Sequence, residues 1–227
     1  MKIFLPLLFA LAFLAPDLIK SQDTISGKTE NMEMYEGYFD FYWDDAEGKI
    51  WLKIDKLDRE ILYVNSLAAG LGSNDIGLDR SQLGDSRIVR FEKNGPKILM
   101  IQPNLSYRAV TNNPLEKKSV EEAFASSVLW GFKIEAEEDG TYLVDATGFL
   151  LRDAHDVTGR LRNSNQGNFS IDGSRSAIYL PGTFNFPKNS EFEARLTFTA
   201  NNAGGQVRSV APTPGAITLR QHHSFVE

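Results

Sequence analysis

The feature that most constrains the fold of this chain is a two-residue hydrophobic period that is repeatedly broken by turn dipeptides. "SRIVRFEK" and "PKILMIQP" flank Asn94-Gly95, and "FKIEAEE" and "TYLVDATGFLL" flank Asp139-Gly140. Asn-Gly and Asp-Gly tolerate the positive φ values that two-residue hairpin loops demand, so each predicts an antiparallel hairpin. Pro96, directly after the first of them, makes that turn less regular. "GYFDFYW" and "IWLKI" around "DDAEGK" predict another hairpin, and "EILYVNSLA" a further strand. Beyond residue 165, "NFSID", "SAIYLPG", "EFEARLTFTA", "VRSVAP" and "AITLRQHHSFV" read as strands between Gly, Asn and Pro clusters. The expected fold is therefore mainly β: an antiparallel β-sandwich or open barrel with one or two short helices. A parallel βαβ architecture would need a helix between successive strands.

Two helices interrupt the pattern. Ser119 and Glu122 have capping-box spacing, and Val120, Ala123, Phe124 and Val128 share a face, which predicts an amphipathic helix over Val120–Leu129 laid against a sheet. In "RDAHDVTGRL", Asp153 caps a brief helix on which Val157 and Leu161 share a face, with Gly159 keeping it short. Residues 68–85 form the one long loop candidate, and loops of that length are usually functional or mobile. A boundary near Asn112-Asn113-Pro114 divides a β-rich segment, 23–113, from a second β-rich segment with short helices, 114–227.

The first residues belong to export and not to the fold. Lys2 precedes an unbroken apolar run, Ile3–Ala15, and polar sequence follows from Asp17, which reads as a signal peptide over 1–22 cleaved near Gln22. The run is shorter than the roughly 18–20 residues needed to span a bilayer, so no transmembrane span is expected. Removing 1–22 takes away Lys2 and Lys20 against Asp17 alone and moves the formal net charge from −6 to −7. A field of that sign argues against nucleic acid as a partner, because phosphate binding rests on Lys and Arg clusters. Cysteine is absent, which excludes disulfides, thiolate metal ligands and a thiol nucleophile. The expected location is periplasmic, outer-membrane-associated or extracellular.

No catalytic constellation emerges from the residues. His222 and His223 are adjacent in a predicted strand, where successive side chains face opposite ways, so the two cannot share a metal ion without a bulge. The remaining histidine, His155, lies among Asp145, Asp153 and Asp156 in "DATGFLLRDAHD". Asp153 and Asp156 are better explained as helix-cap and first-turn residues, with His155 exposed between them. "SGKTE" (Ser26–Glu30) carries the Gly-Lys-Thr that closes a P-loop, yet the glycine required five positions before Gly27 is Gln22. The glycines of the long loop do not space as a phosphate cradle. Tyr38, Phe39, Phe41, Tyr42, Trp43 and Trp51 in the first hairpin fit a strand core better than an exposed platform for sugar rings. The expectation is no catalytic, cofactor-binding or metal residue in this chain.

Taken together, "GYFDFYWDDAEGKIWLKI", "SSVLWGFKIEAEEDGTYLVDATGFLLRDAHDV", "SRSAIYLPGTFNFPKNSEFEARLTF" and "VRSVAPTPGAITLRQHHSFVE" resemble the amino-terminal region of a family of large secreted bacterial zinc-dependent metalloproteases. In that family domains of unassigned role precede the peptidase domain. The likeness runs from about Tyr35 to Glu227. It implies an H-E-x-x-H zinc helix downstream of "RQHHSFVE", so no zinc ligand or catalytic glutamate is carried onto any position here. The resemblance further implies a non-catalytic region that packs on or regulates a downstream peptidase domain, with zinc in the full-length parent and a peptide or protein as substrate. The alternative is a free-standing secreted module that binds glycan or a surface protein. A weaker third reading is an autonomous hydrolase using Asp153, His155 and Asp156. If the last strand normally pairs with a successor, it is expected to form an open, fraying edge.

Overall fold

A computed structural model describes residues 24–227; the expected signal peptide and its cleavage near Gln22 lie outside the described residues. The strands are β1 (Glu33–Tyr35), β2 (Phe41–Asp44), β3 (Lys49–Ile54), β4 (Ile61–Ala69), β5 (Leu83–Asn94), β6 (Lys97–Gln102), β7 (Ser127–Glu138), β8 (Thr141–Asp145), β9 (Ser170–Ile171), β10 (Ala177–Ile178), β11 (Phe184–Phe186), β12 (Asn189–Thr199) and β13 (Ala216–Val226). Short helices punctuate them: α1 (Ile25–Lys28), α2 (Pro114–Ala123), α3 (Thr147–Leu150), α4 (Val157–Asn163) and α5 (Gly205–Val210).

The strands pair antiparallel in one sheet of order β1-β2-β3-β8-β7-β6-β5-β4-β13-β12-β10, with β9 and β11 also on β12. Of the two expected architectures this is the open barrel, and it is nearly closed. The seam is made without a full ladder: Tyr38 N–H donates to Phe186 C=O at 2.7 Å, and Asn185 Nδ2 donates to the carbonyls of Tyr35 and Phe39 at 2.8 Å each.

The hairpins follow their turn chemistry. Asp139 and Gly140 both take positive φ (48° and 76°), as a type I′ turn requires. At the other hairpin Gly95 has φ 54° and Pro96 follows, the sign pattern of a type II′ turn, which accommodates the proline. β4 alternates buried and partly exposed residues without a fault from Ile61 to Leu67, the signature of one face turned inward.

Four expectations are corrected. The helix expected at Val120–Leu129 lies at Pro114–Ala123, because Asn113 caps it through Leu115 N–H and Pro114 supplies N1; Ser119 and Glu122 fall inside it, and Val128 belongs to β7. That helix buries no residue, so it is not laid against the sheet. "VRSVAP" is helical, not extended, because Gln166 Oε1 accepts from Gln206 and Val207 N–H (3.0 and 3.3 Å) and so caps α5 from a distant loop. Finally, β13 is no open edge: β12 pairs along its whole length and β4 along Arg220–Val226.

Two apolar clusters fill the barrel. One contains Phe39, Phe41, Tyr63, Phe91, Phe132, Phe149, Phe192 and Phe225. The other contains Leu67, Leu78, Val157, Leu161, Leu196, Phe198, Val207, Ile217 and Leu219. The long loop between β4 and β5 is part of the second: Ile76 and Leu78 are buried in it, and Arg160 Nη1 donates to Gly77 C=O at 3.2 Å.

Candidate functional site

Between the two apolar clusters lies a buried polar layer. Along β4 the inward residues run Tyr63, Asn65, Leu67, and along β13 they run Phe225, His223, Gln221, Leu219. Tyr63 and Phe225 belong to the first cluster, Leu67 and Leu219 to the second; Asn65, Gln221 and His223 lie between, all at most 1% exposed. Here the connection from α3 to α4 is fastened to the sheet. Buried backbone groups must be paired, and Gln221 does this for three of them: its Oε1 accepts from Ala154 and His155 N–H (2.9 and 3.0 Å), and its Nε2 donates to Arg152 C=O (2.9 Å).

His223 is partnered at both ring nitrogens. Its Nε2 lies 3.0 Å from Leu150 C=O, which can only accept, and 2.9 Å from Gln221 Nε2, which can only donate, so it satisfies one of the two in either tautomer. Nδ1 lies 2.8 Å from the Tyr63 phenol oxygen, which also accepts from Arg152 Nη2 at 3.1 Å. The result is a connected chain of guanidinium, phenol and imidazole. Full burial, reinforced by the Arg152 charge, pushes the imidazole pKa down to about 3. Its lone pair is consumed and no solvent reaches it, so this imidazole cannot serve a substrate as general base. The Arg152 guanidinium lies 4.2 Å over the Phe149 ring.

His155 is 2% exposed, which corrects the expectation that it stands exposed between Asp153 and Asp156. Asn65 Oδ1 accepts from Arg87 Nη1 at 3.4 Å, so its amide nitrogen faces His155 Nδ1 at 3.3 Å and donates to it. Nε2 carries the proton and has no partner among the described residues. Burial, then the charge of Arg160, lowers the pKa of this imidazole as well. The neighbouring carboxylates do not orient it. Asp153 accepts from Val157 and Thr158 N–H (2.8 and 2.9 Å), the capping role expected of it. Asp145 accepts from Thr147 N–H, and Asp156 is exposed at φ 54°. The constellation imagined for a hydrolase is therefore not brought together.

His222 faces outward, opposite His223. Its Nε2 meets Glu191 Oε2 at 2.6 Å and its Nδ1 lies 3.6 Å from Glu193. Burial works to raise the Glu191 pKa, but hydrogen bonds from His222, Ser224 and Asn189 outweigh it and hold the carboxyl below its ordinary value. Among the described residues no group of three or more His, Cys, Asp or Glu is arranged to hold a metal ion. "SGKTE" forms α1, where Lys28 pairs with Glu135 at 3.4 Å and sits over the Trp51 ring. Tyr38, Phe39, Phe41 and Trp51 are buried, and Tyr42 and Trp43 are half-buried against the apolar clusters.

Two open concavities lie on either side of residues 103–105. One, of about 480 Å³, is lined by Ser86, Arg87, Ile88, Gln102, Pro103 and Ser127 among others. The second, of about 440 Å³, lies under α2 and includes Arg90, Tyr107, Arg108, Lys117 and Phe124. Sequence reasoning missed these walls and the polar layer alike. The layer had a signal: Asn65, Gln221 and His223 occupy inward positions of strands that are otherwise apolar on that face.

Comparison with known proteins gives two family matches. Residues 81–227 match the model of a domain of unknown function, DUF5117, and residues 20–70 match that of another, DUF5118. No curated protein and no solved structure matches.

Proposed function

We propose, for a chain that belongs to the DUF5117 family, a non-catalytic role: it is the amino-terminal region of an exported zinc-dependent metalloprotease and packs on the peptidase domain of that protein. One observation carries this reading. Of the large apolar side chains left exposed, six lie close together in the chain, Leu105, Tyr107, Val110, Leu115, Phe124 and Val128, all in or beside the excursion between β6 and β7. Tyr107 and Phe124 stack at 3.7 Å, giving the excursion an aromatic surface. Exposed apolar side chains gathered in one excursion favour a face that another protein covers. The chemistry of the polar layer supports the same reading, since both His223 ring nitrogens are already engaged by neighbouring groups.

Zinc chemistry then belongs to the peptidase domain, and no residue of this chain is assigned to the metal. The test uses a peptidase domain expressed separately from a metalloprotease that carries a DUF5117 segment. The full chain is expected to bind it, and Val110→Lys with Leu115→Lys is expected to weaken binding at least tenfold in sedimentation or calorimetry. Chelator-sensitive peptide turnover by this chain alone, or binding indifferent to both substitutions, ends the reading.

A further inference from the structure

β6 stops before β5 does. β5 pairs with β6 only over Arg90–Asn94, while its earlier residues pair with β4 alone. The cause is in the sequence: Pro103 follows Gln102, has no N–H with which to continue a ladder, and turns the chain into the excursion that returns as β7 at Ser127. A lane beside β5, before Arg90, is left without a strand partner.

The backbone polarity of that lane is fixed by a neighbouring bond. Asp58 N–H donates to Phe91 C=O at 2.9 Å, and since β6 lies on the opposite side of Phe91, that carbonyl points toward the β4 side. Alternation along an antiparallel strand then turns the N–H and C=O of Ser86 and Ile88 into the open lane. Neither residue makes a backbone hydrogen bond beyond its own ladder among the described residues. Before Ser86 the register is irregular, with Leu83 opposite Ser66 and Ser86 opposite Val64, so the regular part of the free edge is Ser86–Ile88. Those three residues are the β5 wall of the 480 Å³ groove, whose opposite wall is Pro103, Asn104 and Leu105.

We propose that this groove binds an extended peptide, which adds to β5 as a strand in the lane that β6 vacates. The occupant is specified by the edge: two residues offering both N–H and C=O at strand spacing select another backbone in β conformation. Exposed edges are usually blocked by charges or proline. Here the side chains of Ser86 and Ile88 on the outer face are uncharged, and exposed Leu105 lies at the far wall. An apolar residue on the outer face of the peptide, beside Ile88, completes the fit. The inference stands on the sheet edge and does not depend on the protease reading.

The probe is a combinatorial hexapeptide library in which each hit is remade with N-methyl groups on alternate residues. Binding to the full chain is followed by amide hydrogen exchange. Hits are expected to protect the Ser86 and Ile88 amides, and N-methylation of the residues facing β5 is expected to cut affinity at least tenfold. Ser86→Pro should do the same; because that variant could disturb the strand, the N-methyl comparison on the unaltered chain is decisive. A library without hits, hits that protect other amides, or hits that bind equally well when N-methylated overturn the proposal.

Discussion

Gln221 shows how much a single residue can carry in this barrel. Its amide satisfies three backbone groups of the α3–α4 connection, and leaving a buried group unpaired costs about 1–3 kcal/mol. Gln221→Leu is therefore expected to lower stability by roughly 3–5 kcal/mol in urea unfolding, well beyond an ordinary core substitution. The neighbouring imidazole sets a pH dependence. His223 has its folded pKa depressed to about 3 against an ordinary 6.5, so between those values the unfolded chain binds a proton that the folded chain refuses. Stability from this group is complete above about pH 6.5 and is lost as pH falls toward 3, by up to roughly 1.4 kcal/mol per unit. His155 acts in the same direction. Glu191, held below its ordinary value, adds a loss that begins as pH falls through the carboxylate range. Denaturation midpoints measured from pH 7.5 to 4 should fall steadily, and His223→Phe should start lower and fall less steeply. The opposite facing of His222 and His223 was legible from strand alternation alone. The burial of His155 was not, because it depends on Gln221 and Asn65, partners 66 and 90 residues away.

At the scale of elements, local chemistry decided what could be read. The Asp139-Gly140 and Asn94-Gly95 turns were legible because a positive φ is a property of one or two residues. The α4 cap was legible too. Asp153 accepts from two helix N–H groups and from Thr158 Oγ1, so Asp153→Ala is expected to cost about 1–2 kcal/mol, read as a lower urea midpoint, with Asp153→Asn retaining most of the loss. α2 was misplaced because two start signals competed, Asn113-Pro114 and Ser119-x-x-Glu122, and the apolar periodicity that favoured the second belongs in part to β7. α5 was misread because its cap, Gln166, is 40 residues distant in the chain. Since α2 buries nothing, Leu115→Lys there should shift the unfolding midpoint by less than about 0.5 kcal/mol, and its effect should be confined to association.

At the scale of the molecule, the β-rich class and antiparallel pairing were legible, but the short strands that bring the number to thirteen and the strand order were not. Nothing in the local pattern says that β3 pairs with β8 or that β13 inserts between β4 and β12. Such choices are made by which apolar faces fit one another, and the two Phe-rich inner faces meet across the seam at Phe41 and Phe192, 4.9 Å apart. The seam itself is polar and short. Asn185 donates to two carbonyls of the β1–β2 region and also accepts from Ser190 Oγ, while Ser190 Oγ accepts from Phe39 N–H. A barrel closed by a full ladder would lose little from one side chain. This one is closed at that point by a few bonds converging on Asn185, so Asn185→Ala should open both lips together. Amide exchange in Tyr35–Phe41 and in β11 is expected to accelerate by a common factor, about tenfold to a hundredfold for a loss of roughly 1.4–2.7 kcal/mol, with the β4–β13–β12 ladders unchanged. Exchange that rises on one side alone would mean that the two lips are held independently, and that the apolar contact beneath, not the asparagine, keeps the barrel shut.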